Sequence, residues 1–227
     1  MTTLAPHRRL PGLTPTAVKQ SWGFMIGSSF FAVAAALSIG GASATVPNLL
    51  CFVGAWFFTG AGLIQTIRSA PRMTTVPGRP HPVLRAEWLG AATQSFGTVM
   101  FNISTTSALY ARTVVEQDRW VWSPDAGGSV AFLVSGYFIL VAYSHANGTL
   151  WAPASAEWWS AQINMLGCIA FGFSAVGAYV LPDNNVVNSA IANWGTLIGA
   201  ICFFLTSLVV LPAAMRARRQ APTAQPA

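Results

Sequence analysis

Charged residues are scarce in this chain, and their scarcity excludes most soluble folds. Only 8% of the 227 residues are Asp, Glu, Lys or Arg, and only six of these are acidic. Soluble globular domains carry about a quarter charged residues. Hydrophobic residues make up 53% of the chain, and the mean hydropathy is +0.52. A chain of this composition belongs in a lipid bilayer.

Motifs for catalysis, cofactors and metals are also absent from the sequence. It contains no P-loop, no GxGxxG after a strand and no HExxH. His7, His81 and His145 lie in a leader, in a loop and at a helix end, away from any recognisable nucleophile relay. The three cysteines lie in apolar segments without CxxC spacing. We therefore predict no catalytic residue, no cofactor, no metal site and a role other than catalysis.

Helix-length apolar stretches account for most of the chain. A membrane-spanning helix needs about 20 mainly apolar residues. The sequence predicts an all-α integral membrane bundle, with a disordered leader at 1–20, a basic loop at 70–86 and a basic, disordered tail at 213–227. The six predicted spans are Trp22–Ile39, Asn48–Ile67, Trp88–Tyr110, Gly128–Tyr143, Trp158–Leu181 and Ala192–Leu211.

The cations predict the orientation of the spans. Short loops rich in Lys and Arg stay in the cytoplasm. Only Arg112 and Arg119 fall on the side away from both termini, so we expect both termini to be cytoplasmic in the cell inner (plasma) membrane. The small-residue triplet Ala42-Ser43-Ala44 resembles a signal-peptide cleavage site, so a cleaved signal peptide is the alternative for the first span. The ten cations on the predicted cytoplasmic side are Arg8, Arg9, Lys19, Arg68, Arg72, Arg79, Arg85, Arg216, Arg218 and Arg219.

A glycine followed four residues later by a phenylalanine recurs once in every predicted span. A shift of 70 residues also aligns Glu87-Trp88 with Glu157-Trp158. Two spans per unit give all units one orientation, so we predict three parallel two-helix hairpins at 21–69, 87–146 and 157–212. Small residues let helices approach closely in lipid. The predicted packing pairs are Gly27/Phe31, Gly54/Phe58, Gly97/Phe101, Gly128/Phe132, Gly167/Phe171 and Gly199/Phe203.

The first hairpin resembles a known family. Gly27-Ser28-Ser29-Phe30-Phe31 and the later run from Leu50 to Phe58 look like the YrhK-like two-helix membrane domain, whose helices carry a Gly-Ser-x-x-Phe type signature. The other two hairpins match it more loosely. The resemblance implies a two-helix membrane fold, apparently repeated three times, and it implies no chemistry.

Polar residues inside the predicted spans are the candidates for a functional site. Gln94, Thr98 and Asn102 share one face of the third span, and Gln162 and Asn164 lie in the fifth. They form a candidate polar path. The interpretation that we prefer from the sequence is structural, with these groups bonded between helices at about 0.6 to 2 kcal/mol each.

Two carboxylates lie at predicted cytoplasmic helix starts. Glu87 and Glu157 complement the helix dipole there. The alternative hypothesis is a pair of inner-mouth carboxylates that binds a cation or relays protons, which requires burial.

The predicted role is that of a structural or accessory membrane subunit. The alternative is a channel or carrier for a small polar solute or cation, and a membrane enzyme is the least favoured hypothesis. The expected partner is the lipid bilayer, with other membrane subunits or a homo-oligomer as further candidates. Nucleic acid is not expected, because no folded basic domain is present.

Overall fold

The computed structural model describes residues 14–78, 80–183 and 185–220. Helices dominate this part of the chain, together with a two-stranded antiparallel hairpin of β1 (Met73–Thr74) and β2 (Val83–Leu84). The helices are α1 (Ala17–Ile39), α2 (Thr45–Arg68), α3 (Ala86–Ser107), the short α4 (Val114–Glu116), a π-helix (Gln117–Trp122), α5 (Ser123–Asn147), α6 (Ala156–Gly177) and α7 (Ser189–Gln220).

Capping residues in the sequence determine where several helices begin or end. The Thr16 side chain accepts a hydrogen bond from the Lys19 amide at 3.2 Å, and Ser155 accepts one from the Trp158 amide at 3.3 Å. These contacts satisfy amides that have no partner within the helix. Gly148 has a φ of 67° after the last residue of α5, a conformation that glycine adopts without steric cost.

Five helices in the described ranges are long and apolar enough to cross a membrane. They are α1, α2, the stretch Val114–Asn147, α6 and Ser189–Ala217. The 22-residue α3 is long enough but less apolar than these five. The chain is therefore a membrane protein whose apolar helices contact the lipid bilayer.

The six long helices form a closed ring. Around the ring, α1 packs against α2, followed by α3, α5, α6 and α7, and α7 packs against α1. Asn48 at the start of α2 donates to the Ala108 carbonyl just after α3, at 3.2 Å. The Trp122 indole at the start of α5 donates to the Ala175 carbonyl near the end of α6, at 2.9 Å. Neighbouring helices therefore run in opposite directions.

The two ends of this ring differ in charge. We call the end where α1, α3 and α6 begin the basic end, because it carries Lys19 and the arginines that end α2 and follow it. We call the opposite end the acidic end. It holds most of the acidic residues of the chain, namely Glu116, Asp118, Asp125 and Asp183.

Several helices are longer than the sequence predicted. The predicted disordered tail begins at 213, but α7 continues through Pro212 to Gln220, because Ala213, Ala214 and Met215 favour helix. Residues 17–20 of the predicted leader belong to α1, whose cap is Thr16. The basic loop contains the β hairpin. Residues 1–13 and 221–227 of the predicted leader and tail lie outside the described part of the chain.

One phenylalanine from each long helix enters a single buried cluster at the centre of the ring. We call this the phenylalanine cluster. Neighbouring ring centroids lie between 5.0 and 6.4 Å apart. This spacing is typical of favourable aromatic pairs. The members are Phe31, Phe58, Phe101, Phe132, Phe171 and Phe203, all 5% exposed or less.

Glycines make the close packing of these rings possible. A Cβ on Gly97 would lie 2.6 Å from Cδ1 of Phe132, and a Cβ on Gly199 would lie 2.7 Å from Cδ2 of Phe171. Each of these rings belongs to the hairpin neighbour of the glycine's helix. The predicted glycines thus lie opposite the predicted phenylalanines. The full set of such contacts involves Gly27, Gly54, Gly97, Gly128, Gly167 and Gly199.

Candidate functional site

The phenylalanine cluster separates two polar cavities. Phe203 lines a cavity towards the basic end, whereas Phe31, Phe101 and Phe171 line a cavity towards the acidic end. We call these the basic-end cavity and the acidic-end cavity. Their volumes are about 230 and 210 Å³. Polar cavities inside a membrane bundle mark candidate solute or ion sites, because uncompensated polar groups are costly in hydrocarbon.

Uncharged side chains line the basic-end cavity. Gln94 on α3 is 5% exposed, and its carbonyl oxygen accepts from Nε2 of Gln65 at 3.3 Å and from the Ser135 hydroxyl at 3.4 Å. These contacts hold the Gln94 amide at the cavity wall. Asn164 on α6 is also 5% exposed, with Nδ2 3.7 Å from Sγ of Cys168. The polar lining includes Gln20, Gln65, Gln94, Ser160, Asn164 and Thr206.

The acidic-end cavity carries one carboxylate. Asp125 lines it from the first turn of α5, and no other acidic side chain from the described ranges does so. The side chain is half-buried, and it makes no hydrogen bond or ion pair with the described residues. The other polar side chains of this cavity are Asn48, Ser104, Thr105, Ser174, Asn193 and Thr196.

Two hydroxyl groups of the acidic-end cavity donate to carbonyls of their own helices. The Thr105 hydroxyl donates to the Phe101 carbonyl at 2.7 Å, and the Thr196 hydroxyl donates to the Ala192 carbonyl at 3.0 Å. The Thr196 hydroxyl also lies 2.7 Å from the Ser174 hydroxyl. A hydroxyl has one hydrogen and two lone pairs, so the Thr105 oxygen keeps lone pairs for the cavity.

The π-helix positions the wall of this cavity. It runs from Gln117 to Trp122 and leads directly into α5. Val121, Trp122 and Asp125 line the cavity from this segment. Single π-helical turns are rare and occur frequently at functional sites.

Sequence reasoning missed Asp125, because it placed the start of this span at Gly128. The charge interrupts the apolar pattern, so the carboxylate was assigned to a loop. A signal was present in the repeat, since Asp125 precedes Gly128 by three residues, as Gln94 precedes Gly97. Residues three apart share a helix face. Because α3 and α5 run in opposite directions, Gln94 lines the basic-end cavity and Asp125 lines the acidic-end cavity.

The five residues of the predicted polar path do not converge on one site. Gln94 and Asn164 meet in the basic-end cavity. Thr98 is fully buried and donates to the Ser95 carbonyl at 2.7 Å. Asn102 donates to the Ala55 carbonyl at 3.0 Å and also contacts the Thr59 hydroxyl on α2. Gln162 is half-buried and lines neither cavity.

Neither predicted inner-mouth carboxylate lines the basic-end cavity or the acidic-end cavity. Glu87 is exposed and forms an ion pair with Arg85 at 3.4 Å. Glu157 is exposed and accepts a hydrogen bond from the Ser155 hydroxyl at 2.8 Å. Both lie in the first turns of their helices, where a negative charge complements the dipole.

The chain matches no protein-family model, no curated protein and no solved structure. Two features of the bundle bear on its function, namely the pair of cavities and the aromatic barrier between them.

Proposed function

We propose that this protein is a membrane carrier for small polar solutes or cations. The observation that supports the proposal is the pair of polar cavities on opposite sides of one aromatic barrier. A closed barrier between two binding cavities favours a carrier over an open channel, since solute can pass only when the rings move apart. No catalytic role or cofactor is part of the proposal.

The proposal includes six membrane spans, with α3 as the span of lowest hydropathy. Its polar residues Gln94, Thr98 and Thr105 are buried within the bundle. Its outward face is apolar, with Phe96 56% exposed and Val99 42% exposed. This distribution fits a helix in contact with lipid on one side and with a polar interior on the other.

We also propose that the bundle consists of three parallel hairpin repeats. The support is the exchange of glycine and phenylalanine contacts within each pair, α1 with α2, α3 with α5, and α6 with α7. A YrhK-like origin of the first hairpin is part of this proposal and rests on its Gly27-Ser28 signature. Parallel repeats of this kind are known among membrane carriers.

We propose that the protein lies in the plasma membrane with its basic end facing the cytoplasm. At this end Arg68 donates to the side chain of Gln20, the residue after Lys19, at 2.5 Å. The acidic end would face outwards. The positive-inside rule supports this arrangement.

A structural or accessory subunit is the second candidate, and one observation favours it. Asn102, in the middle of the predicted path, is bonded to α2 and lines neither cavity. In this second candidate, some polar side chains of α3 serve to hold neighbouring helices together by hydrogen bonds. In that case the two cavities would be packing defects that hold only water.

Flux through the purified full chain in vesicles separates these candidates. Glycerol and urea test neutral solutes, and methylammonium and K⁺ test cations. A carrier gives saturable uptake of at least one of them above empty vesicles. Asn164→Leu, which replaces a polar group of the basic-end cavity by an apolar one, should abolish that uptake, whereas Leu166→Ile on the exposed face of α6 should not. Background flux of all four solutes through folded protein would favour the structural subunit and reject the carrier.

A further inference from the structure

We infer that the acidic-end cavity is a binding site for a monovalent cation, with Asp125 as its charged ligand. The inference deepens the proposed function and rests on it for the direction of transport, while the binding step stands alone. It starts from a carboxylate that lines an intramembrane cavity and has no protein partner in the described ranges.

Among the residues that the structure describes, no cationic side chain forms an ion pair with Asp125. The two arginines of the acidic end lie elsewhere. Arg112 is exposed and lines a neighbouring groove with Gln117, and Arg119 lies over the Trp120 ring at 5.4 Å. An unpaired charge that is partly removed from water carries a desolvation cost. A cation in the cavity would remove that cost.

The remaining lining is suited to a positive charge. Ser104, Thr105 and Thr196 contribute hydroxyl oxygens to the lining, and the Thr105 hydrogen is used on the Phe101 carbonyl. Phe101 and Phe171 also line the cavity. Aromatic faces attract cations through their negative quadrupole. Oxygen acceptors and aromatic faces together disfavour an anion.

The single carboxylate and the small volume of the cavity favour a monovalent cation. A divalent ion such as Ca²⁺ takes six to eight oxygen ligands, commonly with several carboxylates, whereas this cavity has one. Its volume of about 210 Å³ accommodates an alkali cation with a few waters or a small organic ammonium ion. A water molecule occupies about 30 Å³ in the liquid. The aromatic lining favours the ammonium ion, and the hydroxyl oxygens suit both cations.

Thermal unfolding of the purified full chain in detergent tests the site without transport. NaCl, KCl and methylammonium chloride are titrated at constant ionic strength, with N-methylglucamine chloride as the bulky balancing salt. At least one small cation should raise the Tm by several degrees in a saturable manner. Preference for methylammonium would identify an organic ammonium site, and preference for Na⁺ or K⁺ an alkali site.

Two variants and one control make the result specific. Asp125→Asn should abolish the saturable shift. Ser104→Ala should weaken the apparent affinity about fivefold, as expected for one lost polar contact, and it provides the answer if Asp125→Asn does not fold. The control is Asp183→Asn, an exposed acid of the same end. Hydrogen bonds from Asn185 lower the pKa of the Asp183 carboxyl, so this control removes a real charge.

The possible results distinguish this inference from the proposed function. Equal shifts for all salts and variants, or a shift that survives Asp125→Asn, would overturn the cation site. Saturable binding without any vesicle flux would support the site and reject the carrier. Solute flux that is unchanged by Asp125→Asn, with no cation binding, would support a carrier of neutral solutes and reject the site.

Discussion

Gly97 and Phe132 fit together so closely that a single methyl group on the glycine would overlap the ring. The Cβ of an alanine at 97 would lie 2.6 Å from Cδ1 of Phe132. Gly128, on the same helix as Phe132, lies against Phe101 on the helix of Gly97. Each helix therefore packs its phenylalanine ring against the glycine of the other helix, which fixes the separation and the register of the two helices.

We expect Gly167→Ala to destabilise the bundle. Its Cβ would lie 2.8 Å from Cδ1 of Phe203 and 2.9 Å from Cβ of Cys202. Overpacking of this kind costs about 1 to 3 kcal/mol, which should lower the Tm in detergent. Gly172→Ala is the control on the same helix, since its Cβ would meet only Leu133, at 3.5 Å. Equal stability of the two variants would contradict the packing role of Gly167.

Phe171→Ala should open a leak between the cavities. Phe171 contacts Phe31, Phe101, Phe132 and Phe203, with ring centroids 5.4 to 6.3 Å away. Its truncation removes a large part of the barrier and costs about 3 to 5 kcal/mol of stability. The measurement is non-saturable methylammonium flux into vesicles.

Phe171→Leu is the control for this leak, because it keeps most of the side-chain volume. It should preserve the barrier at a smaller cost in stability. A leak-free Phe171→Ala protein with an intact fold would show that the rings do not separate the cavities.

Asn102→Leu and Asn164→Leu should have different effects, although both replace an amide by an isosteric apolar group. Asn102 bonds to α2, so its loss should lower stability by about 0.6 to 2 kcal/mol and leave uptake per folded molecule unchanged. Asn164 lines the basic-end cavity, so its replacement should abolish uptake at normal abundance. Measuring abundance, Tm and flux together separates the two outcomes. Loss of uptake per molecule in Asn102→Leu would place a solute path along α3.

Both termini should be cytoplasmic. A reporter that is active only outside the cytoplasm, fused after residue 227, should give no signal, whereas the same reporter inserted in the acidic-end loop near Asp183 should be active. The six proposed spans and the charge difference between the two ends predict this pattern. Strong activity of the fusion at residue 227 is incompatible with it.

The regular features of the bundle could be predicted from sequence, and its irregular features could not. The Gly27/Phe31 spacing was visible because close helix contact demands small residues at fixed intervals. The rotation of each helix about its axis was not visible, so Asn102 and Asn164 were assigned to one path although they face different neighbours. Asp125 was missed because an apolar window ends at a charge, whereas a folded bundle can enclose one.

The contact between the first and last helices has a consequence for biosynthesis. Val18 and Met25 of α1 pack against Leu211 of α7, and this contact closes the ring. The earlier helices enter the bilayer while α7 is still unsynthesised. Until α7 is inserted, the face of α1 that packs against it is exposed to lipid. The walls of the two cavities are complete only when the final helix is inserted, because residues of α7 line both. Truncation before α7 would therefore leave a cleft open to the bilayer, a substrate for membrane quality control.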